Sequence, residues 1–134
     1  MAIDKITQYW IEHSDYDFVT AKAMLKASRY LYVSFMCQQA VEKLLKAIIT
    51  LRLKVTPPRI HDLSKLAAIA KIDKVLNKQQ SEFIAGLTPF CVITRYAGYK
   101  KKISELSNAT LAKSTFKETK EFIKWLKETQ IYKR

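Results

Sequence analysis

One long apolar stretch, Tyr30 to Leu53, constrains the fold more than any other part of the chain. It reads YLYVSFMCQQAVEKLLKAIITLRL, contains no glycine or proline, and has only three charged side chains before Arg52. Projected at ~100° per residue, its apolar residues cover more than half of a helix circumference. These are Val33, Met36, Cys37, Ala40, Val41, Leu44, Leu45, Ala47, Ile48, Ile49 and Leu51. Such a helix needs neighbours on several sides, which predicts the central helix of an all-α bundle.

A second long helix is predicted before the central one, from residue 3 to about residue 28. Its apolar residues recur at helical spacing, and the short join near Ser28 predicts an antiparallel hairpin. The predicted apolar stripe is Ile3, Ile6, Trp10, Phe18, Ala21 and Leu25. Asp17 falls near this stripe. We expect it either at the rim or partly buried, where it would pair with a base or an amide of a neighbouring helix.

Shorter elements are predicted after the central helix. Pro57 and Pro58 end that helix before Thr56, because proline lacks an amide hydrogen and restricts the residue before it. Asp62 is a candidate N-cap for a helix from residue 63 to about residue 70. The segment 54–62 is therefore predicted to be a loop between two helices.

Two more helices complete the predicted fold. The first runs from residue 77 to about residue 94, with a kink or an early end at Gly86 and Pro89. The second begins at residue 107 or 108 and ends near residue 130. The whole pattern predicts one domain, residues 1–134, folded as an up-and-down antiparallel bundle of about five helices around residues 30–53.

The chain is strongly basic, with 24 Lys and Arg against 12 Asp and Glu. Residues 42–102 hold 13 basic and four acidic side chains, an excess of nine, whereas residues 1–20 hold four acids and one base. Such a field favours acidic or phosphate-bearing partners. The alternative is that the lysines only keep a helical protein in solution.

Several classes of protein are excluded by the same sequence. No apolar run approaches the ~20 residues of a membrane span, and the acidic N-terminus is unlike a secretory signal, so we predict a cytoplasmic protein. Cys37 and Cys91 lie far apart among apolar residues, which is typical of reduced core thiols. His13 and His61 are isolated and no Cys-x-x-Cys occurs, so neither a metal site nor a cofactor is predicted.

Two stretches carry the side chains of an anion site. Arg59 and His61 precede the helix start at Asp62, and a helix N-terminus beside cations favours an anion. The second stretch, TRYAGYKKK at 94–102, places Arg95 and Tyr96 before three lysines. Cations pair with phosphates while tyrosines stack on bases, which is what a nucleotide or single-stranded nucleic acid needs. An ordinary helix start and a solvated charge run are the alternatives.

The polar side of the central helix has two interpretations, and a dimer interface beside it is a third alternative. It carries Lys43 and Lys46 together with Gln39, Glu42 and Thr50. The lysines could neutralise phosphates, or the stripe could be a solvent face in which Glu42 and Lys46 form an i,i+4 pair worth ~0.3–0.5 kcal/mol. No phosphate loop, catalytic triad or carboxylate pair is present. His61 is a candidate general base, and a structural histidine at the join between loop and helix is the alternative.

Four segments in order, SDYDFVTAKAML, YVSFMCQQAVEKLLKAII, PPRIHDLSKL and TRYAGY, resemble the HEPN domain family of prokaryotes. The most specific part is QQAVEKLLKA followed by the Pro-Pro and His-Asp-Leu elements. The resemblance implies a helical bundle that commonly forms a homodimer. It also implies a partner, because members are often encoded beside or fused to a minimal nucleotidyltransferase in toxin–antitoxin-like pairs. Some members cleave RNA, and others bind nucleotides or only a protein.

The chain departs from the ribonuclease members of that family. Those members resemble one another in an arginine followed four to six residues later by a histidine in the dimer cleft. Arg95 has no histidine after it, and Arg59 precedes His61 by only two residues. Arg95 and Tyr96 resemble instead the Arg-Tyr element of the non-ribonuclease branch, with Ala97 where proline usually follows.

Three functions therefore stay open. The first is an accessory domain of a nucleotidyltransferase system that binds a nucleotide, the nucleotidyltransferase or both. Its candidate site is Arg95, Tyr96, Lys43, Lys46, Arg59, His61 and Asp62. The second is a divergent, metal-independent endoribonuclease toxin in which His61 replaces the missing histidine. The third is a protein-interaction module with a basic surface.

Overall fold

Five α-helices make up most of the residues that this computed structural model describes, which are 3–92 and 108–133. They are α1 (Lys5–Lys26), α2 (Tyr30–Leu53), α3 (Leu63–Ile69), α4 (Lys78–Leu87) and α5 (Ala109–Leu126). Short 3-10 turns occupy Asp73–Val75 and Thr88–Val92, and a π-helical turn, Lys127–Ile131, follows α5. The described ranges contain no strand, which confirms the predicted all-α bundle.

The first two helices form the predicted antiparallel hairpin. The Thr7 hydroxyl near the start of α1 lies 2.8 Å from the Thr50 hydroxyl near the end of α2. Further along, the Ser14 hydroxyl donates to the Ala40 carbonyl at 2.7 Å. These small side chains let the two backbones approach closely, and they explain why polar residues occupy the inner face of α1.

The core surrounds α2, whose predicted apolar face is confirmed: all of its residues are buried except Met36, which is half-buried. Around it, the rings of Phe18 on α1 and Phe116 on α5 stack with centroids 4.7 Å apart. Phe83 on α4 meets Phe122 on α5 edge to face at 5.7 Å. The helices are thus held by one continuous apolar cluster.

The predicted stripe of α1 needs correction at one residue. Ala21 is buried, and Ile3, Trp10, Phe18 and Leu25 are partly buried against the core, as predicted. Ile6 is 63% exposed, whereas the buried positions of α1 are Thr7, Ile11, Ser14, Asp17 and Ala21. The sequence pattern could not show this, because the closest helix packing uses small and hydrogen-bonded side chains rather than the most apolar ones.

The predicted ends of the other helices agree with the structure. The backbone turns left-handed at Lys54 (φ 57°) directly after α2. Asp62 caps α3 and accepts from the Lys65 amide, and Asn108 caps α5. The helix predicted to start at residue 77 is α4, and its predicted early end near Gly86 and Pro89 is confirmed, because α4 ends at Leu87. Among the described residues no helix is both long and apolar enough to span a bilayer.

Candidate functional site

The polar stripe of α2 is buried rather than solvated, so the solvent-face interpretation is wrong for most of it. Glu42 is 4% exposed, Lys46 7% and Thr50 5%. Gln38, one turn before Glu42, is fully buried. Helix α1 and the loop at 54–62 cover this side of α2, which is why its polar groups must find partners inside the protein.

Glu42 is at the centre of the hydrogen bonds on this stripe. One oxygen, Oε2, binds the Lys46 ammonium at 3.0 Å. The other, Oε1, accepts from Gln38 Nε2 at 3.1 Å and lies 2.9 Å from His61 Nδ1. The Lys46 ammonium also lies 5.6 Å from the centre of the Trp10 ring, in cation–π geometry. The chain from Trp10 through Lys46 and Glu42 to His61 joins α1, α2 and the loop; we call it the Glu42 cluster.

His61 is the only member of the Glu42 cluster with substantial access to solvent, since 42% of its side chain is exposed. An ionised carboxylate can only accept hydrogen bonds, so Nδ1 carries a proton when it binds Glu42. In the neutral imidazole this leaves Nε2 unprotonated, as an acceptor or a base. The His61 carbonyl also accepts from Gln38, so both ends of the residue are fixed. A held histidine with one basic nitrogen can transfer a proton or accept from a bound ligand.

The two lysines predicted to meet phosphates already have carboxylate partners. Lys46 pairs with Glu42, and the Lys43 ammonium lies 2.5 Å from Asp17 on α1. Asp17 is therefore a buried acceptor that pairs with a base of the neighbouring helix, which was the second of the two positions predicted for it. Both lysine charges are matched within the protein, so an anion would have to compete with these carboxylates.

The start of α3 is likewise occupied by its own side chains. The Asp62 carboxylate accepts from the Lys65 amide at 3.1 Å, and the Leu63 amide donates to the Thr88 hydroxyl at 3.1 Å. Asp62 thus acts as a cap, and its negative charge opposes an anion at this position. Arg59 is exposed and forms no ion pair with the described residues. It stays available to an outside partner.

Arg95 and Tyr96, with the lysines at 100–102, lie outside the described residues, so their roles remain predictions.

Gln38 and Trp10 belong to the site but were not predicted from the sequence as site residues. The sequence does contain a signal for Gln38. Gln38, Glu42 and Lys46 follow one another at intervals of four residues, so they form a polar row along one side of an otherwise apolar helix. No local pattern could have placed Trp10 there. The described residues contain no cluster of three potential metal ligands.

Comparison with known proteins bears on the whole of this arrangement. The family model of the HEPN domain matches residues 7–129, nearly the full chain. No curated protein and no solved structure gives a significant match. The matched range includes α1 from its third residue, all of α2 to α5, the Glu42 cluster and the loop that carries His61. The chain belongs to the HEPN domain family.

Proposed function

We propose that this chain is an accessory HEPN domain of a nucleotidyltransferase or toxin–antitoxin-like system, which binds a nucleotide, a nucleotidyltransferase partner or both. Membership of the HEPN family supports an accessory or nucleotide- and RNA-related role. The net charge of +12 supports a partner that carries phosphates or carboxylates.

One observation carries the proposal: some basic side chains are already paired with a carboxylate of the protein, and others are not. Lys43, Lys46, Lys54 and Lys127 each lie within 4 Å of a carboxylate. In contrast, four bases between residues 59 and 74 are exposed and form no ion pair with any residue in the ranges described: Arg59, Lys65, Lys71 and Lys74. We call these four residues the basic segment. Cations without an internal partner are the ones that an anionic ligand can use.

The basic segment is tested by removing two of its charges and comparing the result with an equal loss elsewhere. The variant Arg59→Ala/Lys65→Ala is matched by Lys113→Ala/Lys117→Ala, which removes two exposed lysines of α5 that also lack an ion pair among the described residues. Isothermal titration with ATP and with a ten-nucleotide single-stranded RNA is done at low and moderate salt. We expect the first variant to bind more weakly and the second to bind as the unmodified protein does.

For RNA the salt dependence gives a sharper result. Each phosphate contact to a single strand contributes about 0.7 to the slope of log K against log salt, so the loss of two contacts lowers the slope by about 1.4. Equal slopes and affinities for both variants would mean that total charge, and not the basic segment, attracts the ligand.

Arg95 and Tyr96 are proposed to supply the specific contacts, one to phosphate and the other by stacking on the base. Arg95→Ala should weaken nucleotide binding and leave the thermal midpoint almost unchanged. An unaltered affinity would remove this role. If both titrations are silent for the unmodified protein, binding of the nucleotidyltransferase alone remains, and it is tested by co-purification with a nucleotidyltransferase encoded beside the gene.

A divergent, metal-independent ribonuclease is the second candidate, and the contact between Glu42 and His61 favours it. A buried carboxylate that holds an imidazole leaves the other nitrogen as a general base. The test is cleavage of single-stranded RNA in EDTA by the unmodified protein and by His61→Ala. Cleavage that is lost in His61→Ala would support the activity, and no cleavage by the unmodified protein would exclude it.

A further inference from the structure

A cavity of about 610 Å³ lies between the start of α1 and the loop that follows α2. Its apolar walls come from both segments, with Ile6, Tyr9 and Trp10 on α1 and with Val55 and Pro57 on the loop. The volume falls within the range of about 300–1,000 Å³ that small-molecule sites occupy. We call this space the loop cavity.

Three wall residues of the loop cavity are exposed to an unusual degree for large apolar side chains. Ile6 is 63% exposed, Tyr9 52% and Val55 51%. The two segments that supply them are far apart in the sequence, and the fold brings them to one concave surface. Exposed apolar side chains gathered around a cavity are typical of a binding site, because a ligand removes them from water.

Tyr9 and Trp10 give the loop cavity a shape that suits a flat aromatic ring. Their ring planes meet at 84° with centroids 5.6 Å apart, so the two rings form a corner. A third ring in that corner can stack on one of them and present its edge to the other, which are the two arrangements that aromatic pairs favour. The Lys46 ammonium lies 5.6 Å from the centre of the Trp10 ring, so the Glu42 cluster holds this ring before a ligand binds.

The charged side chains around the loop cavity leave one positive charge without a partner. Lys54 and Asp4 lie 3.8 Å apart and neutralise each other. Lys5 also lines the cavity, and it forms no ion pair with any residue in the described ranges. One unpaired ammonium matches a ligand with one carboxylate. A nucleotide carries several negative charges, and most of them would find no cation here.

We propose that the loop cavity binds a small aromatic carboxylate. Its ring lies in the corner of Tyr9 and Trp10 and is covered by Val55, while the Lys5 ammonium donates to the carboxylate. None of the four residues of the basic segment lines this cavity. Binding here therefore goes beyond the proposed function and can be tested independently of it.

The two tryptophans of the chain report where a ligand binds, because Trp10 lines the loop cavity and Trp125 on α5 does not. Indole-3-acetate is the probe, and the two indole N–H signals of the ¹⁵N-labelled protein are followed during the titration, with Trp125→Phe to assign them. We expect a saturable shift of the Trp10 signal, with a Kd of about 0.1–1 mM for a ligand of this size, and no shift of the Trp125 signal. No saturable shift of the Trp10 signal up to about 5 mM probe would overturn the proposal and leave the exposed side chains to a protein partner.

The role of the carboxylate is tested with Lys5→Met. The matched control is Lys22→Met, which removes another exposed lysine of α1 that lies outside the cavity and has no ion pair among the described residues. Lys5→Met should weaken indole-3-acetate about threefold and leave the uncharged indole-3-acetamide unchanged, whereas Lys22→Met should affect neither. Equal affinities of the unmodified protein for the acid and the amide would contradict the assignment of Lys5.

The wall of the loop cavity is tested with Val55→Glu. Val75→Glu is the matched control, because Val75 is 56% exposed, lies outside the cavity and receives the same charge. We expect Val55→Glu to weaken indole-3-acetate about fivefold and Val75→Glu to leave it unchanged. Far-UV circular dichroism checks that both variants are folded. The same loss in both variants would mean that net charge, and not the cavity, attracts the probe.

Titration with ATP separates this site from the proposed function. ATP should leave the Trp10 signal unchanged, whether or not it binds elsewhere on the protein. If ATP shifts the Trp10 signal at lower concentrations than indole-3-acetate does, the loop cavity is a nucleotide site and the proposal is wrong.

Discussion

At the scale of the residue, Glu42 decides whether a buried cation has a partner. The Lys46 ammonium and the Glu42 carboxylate are both almost inaccessible to solvent and lie 3.0 Å apart. A buried pair of this kind contributes little compared with apolar side chains of the same volume, because both charges lose their hydration. The removal of only one partner is different, since it leaves an unpaired charge in the interior.

Glu42→Gln should therefore lower the free energy of unfolding by about 3–5 kcal/mol. The amide keeps the shape of the side chain but cannot neutralise Lys46. Urea denaturation followed by circular dichroism measures the effect. In the control, Glu42→Leu/Lys46→Met removes both charges and should cost less than half as much. Equal losses in the two variants would show that the hydrogen bonds to Gln38 and His61, rather than the charge of Lys46, make Glu42 important.

Cys37 makes a second residue-scale prediction, which concerns pH. Burial raises the pKa of its thiol to about 12, and a hydrogen bond with Thr119 lowers it by less. The thiolate is the reactive form, and it is scarce at pH 8. In a Cys91→Ser variant the remaining thiol should not react with a disulfide reagent in the native state, and it should react fully in urea. Rapid native labelling at pH 8 would contradict the burial.

At the scale of the element, three helix or turn ends use a left-handed residue that is not glycine. Ser28 (φ 59°), Lys54 (φ 57°) and Lys71 (φ 61°) follow α1, α2 and α3. A side chain raises the energy of this conformation by about 1–2 kcal/mol, whereas glycine adopts it freely. The chain has only two glycines, and neither lies at these positions.

Lys71→Gly should therefore stabilise the protein by about 0.5 kcal/mol, after the greater entropy of glycine in the unfolded chain is subtracted. Thermal denaturation measures the change as a rise of about 1–2 °C. Lys74→Gly is the matched control, because Lys74 is also an exposed lysine but has no positive φ. The control should destabilise. A fall in both midpoints would show that strain at residue 71 is small.

The bounds of the helices show how far the sequence predicts the structure. Helix α2 has the predicted bounds, and the ends of α3, α4 and α5 follow from Asp62, Pro89 and Asn108, because capping and proline geometry act over a few residues. On α1 the predicted stripe is wrong only at Ile6, but the closest contact of this helix with α2 was not predicted. It depends on Thr7 and Ser14 meeting partners 26 to 43 residues away. Such pairings are set by packing and leave no local pattern.

At the scale of the whole molecule, the fold was predictable and the site was predictable only in part. His61 and Lys46 were predicted as site residues, but their connection through Glu42 was not. Glu42 and His61 are 19 positions apart in the sequence, and Glu42 is buried, whereas one interpretation of the sequence placed it on a solvent face. Arg95 and Tyr96 lie outside the described residues, so their roles stay predictions. Periodicity predicts which residues are apolar neighbours, but it does not show which polar groups a folded helix pair will enclose.

The net charge of +12 makes a prediction for the molecule as a whole. Like charges repel in the compact state, and salt screens this repulsion, since the Debye length falls from about 30 Å at 0.01 M to about 8 Å at 0.15 M. The thermal midpoint should therefore rise by a few degrees over this range of NaCl. Sodium sulfate at equal ionic strength is the control for anion binding. A midpoint that falls would mean that surface ion pairs outweigh the repulsion.

The position of His61 has a consequence for the motions of the protein. Its imidazole is tied to Glu42 and its backbone carbonyl to Gln38, and both partners belong to the most deeply buried helix. The loop at 54–62 therefore cannot open while these two bonds persist, even though four of its nine residues are exposed to solvent. Opening of this loop is then set by rupture of both bonds together. A ligand that binds His61 Nε2 would act on that opening equilibrium as well as on the surface it touches.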